Sequence, residues 1–236
     1  MNDELKFTVI SDIHYYSKKN FVDGFDKNKK PKPGQLFFSR SEEIVEHTFD
    51  CLCKNDTPDI VLISGDLTYN GERTSHDEMK AALKKLQQKG KRVYVITATH
   101  DYTTPRMPTY GIDKNDKYIE VESVKRTQLL KYYGDFGYNN AIAKHKSTMS
   151  YVAQLADGYR LFALNDDYGD PDCGFSDELM NWVKTEANNA KRDGQYIIAM
   201  THHPLVPPSP IYAAVAKGDM LNDYELRRKQ LSDLGF

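Results

Sequence analysis

The chain has 236 residues, 39% of them hydrophobic and 28% charged, with a formal net charge of −2. That length buries a sizeable core without disulfides or a structural metal, and it suits one large domain or two small ones. The apolar fraction is that of an ordinary globular protein, and the near-neutral balance excludes a bulk binder of nucleic acid or of anionic membranes.

In chain order, Leu5–Ser11 reads as a first strand. Residues 17–40 are polar and lysine-rich, with the run "DKNKKPKPG", and read as a long solvated loop. Ser41–Lys54 sets Ile44, Val45, Thr48, Phe49 and Leu52 at helical spacing. Asp59–Ser64 is a continuous apolar run, as expected of a strand buried on both faces. Ser75 and Glu78 make a capping box ahead of Met79, Ala82, Leu83 and Leu86, and Gly90 closes that helix. Arg92–Thr97 is the next strand. Residues 102–118 read as a second long loop and Glu120–Tyr133 as a helix, with the aromatic-rich region 102–140 forming a packed insertion. Thr148–Leu155 and Tyr159–Asn165 flank an Asp157-Gly158 turn, a hairpin signal. Ser176–Arg192 is a helix closed by Gly194, and Tyr196–Thr201 a buried strand. Asn222–Leu234 is a last helix, with Asn222 as cap and Glu225 following. No repeat or linker divides the chain, so a single domain over 1–236 is expected, with an α/β architecture and one antiparallel or mixed element.

Cys51, Cys53 and Cys173 are odd in number and fit no zinc spacing, so free thiols are expected. Free thiols suit a reducing compartment. There is no apolar run of transmembrane length and no leader-like start. A cytoplasmic location is the default expectation; an extracytoplasmic one would require a removed leader.

The chemistry gathers at strand ends. The first strand delivers Asp12 and His14, the second Asp66, the third His100 and Asp101, and the late one His202 and His203. Taken singly, each is an ordinary turn residue or helix cap. Their joint recurrence matters because ligands of open α/β sheets bind outside the carboxyl ends of the strands. Mixed carboxylate and imidazole donors suit Mn²⁺, Zn²⁺ or iron. Two such ions, about 3.5–4 Å apart, form a clamp for in-line displacement at phosphorus. Asp166 and Asp167 also end a strand and are read as structural.

These residues resemble the calcineurin-like metallophosphoesterases over about residues 5–210. Asp12-Ile13-His14 matches the family's D-x-H. Gly65-Asp66-Leu67-Thr68-Tyr69-Asn70-Gly71 matches its G-D-x-x-x-x-G, His100-Asp101 the second half of its G-N-H-D/E, and His202-His203-Pro204 its H-x-P-like motif. The string "GDLTYNGERTSHDE" is similar to the branch that includes bacterial cyclic-nucleotide phosphodiesterases. The resemblance implies a four-layer α/β/β/α sandwich and two divalent or trivalent ions (Mn, Fe or Zn). It gives Asp12, His14 and Asp66 to the first ion, with Asp66 bridging, and His202 to the second. His100 would face the substrate and Asp101 would hold its imidazole; His203 is a candidate substrate contact.

Two departures stand out. Thr99 replaces the family's metal-binding asparagine with a shorter, weaker ligand, and Ala98 replaces a glycine, which predicts an altered backbone there. No G-H-x-H motif occurs, so the C-terminal strands that end in it are expected to be missing, as in a fragment, a truncation or a degenerate relative. The expected function is metal-dependent hydrolysis of a small, cyclic-nucleotide-like phosphodiester. The alternative is a non-catalytic binding or scaffold module on the same fold.

Overall fold

The computed structural model describes residues 4–22, 38–54, 56–105, 107–115, 117–167 and 173–236. Most of the loop read over 17–40, its lysine run included, lies outside the described residues. Two compact units make up the chain, residues 1–136 and 137–236.

In the first unit, β1 (Phe7–Ile10), β2 (Ile60–Ser64) and β3 (Arg92–Ile96) form a parallel sheet in that order. The register pairs Val9 with Leu62 and Ile63 with Val95. β2 is central and buried at all five positions, which explains its unbroken apolar run. The crossovers are α1 (Ser41–Leu52) and α2 (Arg73–Gln88), and α2 packs on α1 and on β3. Met79, Leu83 and Leu86 form its buried stripe; side chains of this size contribute about 1.5–3 kcal/mol each when fully buried. Because all three strands are parallel, their carboxyl ends lie along one edge of the sheet.

The helix α2 begins earlier than its sequence suggests. Glu72, not Ser75, is its N-cap. Ser75 Oγ instead accepts the Ser17 N–H and an Asn20 amide hydrogen, both at 3.1 Å. Glu78 accepts the Tyr15 hydroxyl at 2.7 Å and pairs with Lys19. The capping box is overridden because both residues tie down the chain after β1. The loop at 102–118 contains a two-stranded antiparallel ribbon, β4 (Gly111–Ile112) with β5 (Tyr118–Ile119). The helix read over 120–133 shrinks to α3 (Leu129–Tyr133), led by a short 3-10 turn. Residues before it are extended because they bond to the Gly71–Arg73 turn, Val124 N to Gly71 O at 2.8 Å and Arg73 N to Glu122 O at 2.9 Å.

In the second unit, β6 (Ala143–His145), β7 (Ser150–Ala156), β8 (Tyr159–Ala163) and β9 (Tyr196–Met200) make a mixed sheet in that order. The first three are antiparallel and β9 is parallel to β8. β7 and β8 are the expected hairpin, whereas β6 was not legible in the sequence. β9 is less buried than its apolar run suggests, because among the described residues it pairs only with β8, and it exposes Tyr196. α4 (Asp177–Arg192), capped by Ser176, sets Leu179, Val183 and Ala187 against Val152, Phe162 and Leu164. α5 (Pro210–Val215) is short and was not anticipated. α6 (Tyr224–Leu234) starts after Asp223, not Asn222, because Asn222 N–H is taken by Cys173 O at 2.8 Å.

The mixed α/β class read from the sequence is the one observed. The three cysteines are free. Among the described residues, no helix is long and apolar enough to cross a membrane.

Candidate metal centre

The turns that follow β1, β2 and β3 are laced together by main-chain bonds. Asp12 N–H donates to Gly65 O at 3.3 Å, His14 N–H to Asp66 O at 2.9 Å and Tyr15 N–H to Leu67 O at 2.9 Å. His100 N–H donates to Asp66 Oδ1 at 2.9 Å. Asp12, His14 and Asp66 hold positive φ values of 54°, 44° and 51°. Side chains other than glycine adopt that region at a cost, which is a mark of functional turns.

The outcome is a convergence of donor atoms. His14 Nε2 lies 3.7 Å from Asp12 Oδ1 and 3.7 Å from Asp66 Oδ2. Those separations are too long for hydrogen bonds. They are close to the roughly 3–3.5 Å between two ligands that each sit about 2.0–2.2 Å from one ion. One ligand atom each of His14, Asp66 and His100 lies within 4.8 Å of the others. Asp66 is buried, whereas the Asp12 side chain is 57% exposed, so the cluster opens to solvent on one side. His14 Nδ1 is buried with no hydrogen-bond partner. Two carboxylates and the His14 imidazole, with the His100 ring beside them, fit a divalent cation of the borderline class.

His100 sits in the 3-10 turn Thr99–Asp101. Its Nδ1 is 2.5 Å from Tyr69 O and 2.9 Å from Asn70 Oδ1. Both are acceptors, so Nδ1 carries the hydrogen and Nε2 is left with its lone pair. The Asn70 orientation is set by its amide hydrogen on Pro108 O at 3.3 Å. Asp101 is fully buried; its Oδ2 accepts Ala98 N–H at 2.9 Å and its Oδ1 accepts Thr68 N–H at 3.0 Å. The carboxylate expected to hold the imidazole thus grips the turn's backbone, and the ring's Nδ1 is held by Tyr69 and Asn70. Ala98 is tolerated where a glycine was expected, because its φ of −145° and ψ of −167° are ordinary extended backbone.

Gly71 is required. Its φ is +77°, and a Cβ there would meet Tyr102 Cα at 2.6 Å and Thr103 N at 2.9 Å. Glu72 beside it is fully buried; burial pushes its carboxyl up to about 8, with Oε1 accepting Asn70 N–H at 3.0 Å.

A family model of the calcineurin-like phosphoesterases matches residues 5–231. The chain belongs to that family. The reaction class is therefore metal-dependent hydrolysis of phosphoric esters, and divalent metal ions are the implied cofactor. A dimetal phosphatase from Danio rerio is similar in fold, with a TM-score of 0.62 at 12% identity over 95% of this chain and 76% of that one. No curated protein matches the chain.

Against the family motifs, Asp12, His14, Asp66 and His100 come together in the first unit, and Thr99 lies in the same turn as His100. His202 and His203 lie just past β9 in the second unit. There, Asp166 Oδ2 accepts both of their N–H groups, at 3.0 and 2.9 Å, and Oδ1 accepts His203 Nδ1–H at 2.9 Å. Burial alone would lower the His203 pKa, but the Asp166 and Cys173 contacts outweigh it and push the ring up to about 10. His203 thus braces the strand end from a buried position. Tyr69, Asn70 and Thr68 carry no signal in the sequence because they fill the free positions of the G-D-x-x-x-x-G motif. Asp166 carried a signal, since it ends β8 alongside the histidine-bearing strand.

Proposed function

We propose that this protein is a phosphodiesterase acting on a small, cyclic-nucleotide-like phosphodiester through a binuclear centre of Mn, Fe or Zn. The observation that carries the reading is the placement of His14 Nε2 midway between the Asp12 and Asp66 carboxylates, with the His100 ring beside it. Asp12, His14 and Asp66 would hold the first ion, and Asp66 would also serve the second. The motif resemblance gives that second ion His202, with Thr99 as a weak donor. When bound, such ions neutralise phosphate charge and lower the pKa of a water. The chain's own part is orientation and proton handling. Tyr69 O and Asn70 Oδ1 fix the ring so that Nε2 faces the substrate. Once protonated, Nε2–H donates to the leaving oxygen. Asp101 keeps the turn rigid from a buried position.

The preference for diesters and for a small substrate rests on the motif string and on the near-neutral charge, which supplies no basic groove. The test is elemental analysis after Mn²⁺ loading and desalting, followed by assay on bis(4-nitrophenyl) phosphate, 4-nitrophenyl phosphate and 3′,5′-cyclic AMP. About two ions per chain and faster turnover of the diesters are expected. Asp66→Ala should lose both metal and turnover, and His100→Ala only turnover. No bound metal would overturn the binuclear reading and favour a non-catalytic module.

A further inference from the structure

Helix α2 carries a histidine that neither the metal cluster nor the proposed proton transfer uses. His76 is fully buried. Its Nε2 is 3.0 Å from the main-chain oxygen of Asp101, and its Nδ1 is 2.6 Å from the Tyr133 hydroxyl. A carbonyl oxygen only accepts, so Nε2 carries the hydrogen. Nδ1 then accepts, and Tyr133 Oη–H donates. That tautomer needs a neutral ring, and burial enforces the same state, pushing its pKa down to about 3.

The target of this bond is what matters. Asp101 O belongs to the three-residue turn that carries His100. From the other side the turn is held by the motif loop, with Thr68 Oγ1 donating to His100 O at 3.0 Å and Thr68 N–H donating to Asp101 Oδ1 at 3.0 Å. His76 supplies a hold from the body of a helix packed on the sheet. An apolar residue there would leave a carbonyl and a hydroxyl unpaired in a dry interior, which the turn would relieve by shifting. A displacement near 1 Å at a reacting group costs on the order of 100-fold in rate.

We infer that His76 is a positioning residue, which pins the Asp101 carbonyl from α2 and thereby sets where the His100 ring presents Nε2. This rests on the reading of His100 as the substrate-facing histidine.

The test uses the whole chain with and without Mn²⁺, in wild-type form and as His76→Leu, His76→Gln and Tyr133→Phe. With bis(4-nitrophenyl) phosphate, His76→Leu should lower kcat about 10- to 100-fold, with KM and bound Mn²⁺ changed less than about threefold. His76→Gln keeps an N–H within reach of the carbonyl and should recover most of that loss. In the metal-free protein, ring ¹⁵N spectra should show His76 as the Nε2–H tautomer. The His100 Nδ1–H signal should move in His76→Leu and stay near its native position in Tyr133→Phe. If Leu and Gln variants lose turnover equally, or the His100 signal is indifferent to His76→Leu, positioning is refuted. So too if wild-type His76 carries its hydrogen on Nδ1, a result that decides the matter even where the Leu variant does not fold. A wild-type chain that hydrolyses no phosphoester defeats the phosphodiesterase reading separately, because the spectra report on the His100 ring without turnover.

Discussion

At the end of β3, His100 rests its Nδ1 on neutral acceptors, Tyr69 O and Asn70 Oδ1, while the nearby carboxylate of Asp101 is occupied with the N–H groups of Ala98 and Thr68. At the end of β9, one carboxylate does everything: Asp166 takes two main-chain N–H groups and the His203 ring. The first arrangement orients an imidazole through neutral acceptors. The second locks an imidazole onto a carboxylate and holds it protonated. A histidine that must gain and release a proton belongs in the first setting, and one that braces a strand end belongs in the second.

The most severe test of that contrast is Asp166→Ala. It removes three bonds at once and leaves a buried cationic ring, so a loss of about 3–5 kcal/mol in denaturant unfolding is expected. A loss below about 1 kcal/mol would mean that the hub is dispensable. Gly71→Ala probes the scaffold of the other site. Strain at positive φ together with the clash against Tyr102 should cost about 2–4 kcal/mol. Converting one setting into the other is subtler. Asn70→Asp puts a carboxylate on His100 Nδ1, and should move the alkaline limb of the kcat/KM profile, where the proton donor is lost, upward by about one pH unit. An unmoved limb would remove His100 from the proton transfer.

The smallest effects are in pH and have opposite signs. The folded pKa of His76, about 3, lies below its ordinary value of 6.5. Its stabilising contribution is complete above pH 6.5 and is lost as pH falls toward 3. The folded pKa of His203, about 10, lies above 6.5, so its contribution is complete below pH 6.5 and is lost as pH rises toward 10. Amide exchange should therefore open the turn at 98–101 first in acid and the turn at 202–203 first in alkali. Glu72 follows the second pattern, with a folded pKa of about 8 against 4.5. Glu72→Gln should be near neutral at pH 4 and gain on the order of 1–2 kcal/mol by pH 8, once the unpaired amide hydrogens are counted.

The parallel sheet was legible because β2 is buried on both faces and so must be apolar throughout, and the clustering of Asp12, His14, Asp66 and His100 because a parallel sheet gathers its strand ends. What escaped was held by main chain or by distant partners. The extended stretch before α3 is pinned by Gly71 O and Arg73 N–H, which carry no side-chain signature. Ser75 and Glu78 spell a helix start, yet each is claimed by residues more than fifty positions away. The orienting carboxylate of His100 was expected by analogy with other histidine–carboxylate pairs. The backbone N–H groups of Thr68 and Ala98 compete for that same carboxylate, and no spacing rule anticipates the winner.

The left-handed angles of Asp12, His14 and Asp66 have a thermal consequence. Each costs on the order of 1 kcal/mol, so without cations this edge of the sheet is less stable than its sequence would otherwise permit. A cation gathered by those side chains is met by a backbone already bent to receive it, and its binding energy appears as heat tolerance. Mn²⁺ at about 100 times its dissociation constant adds about 2.7 kcal/mol by mass action. The melting temperature of this protein should therefore report the occupancy of its site before any substrate is found.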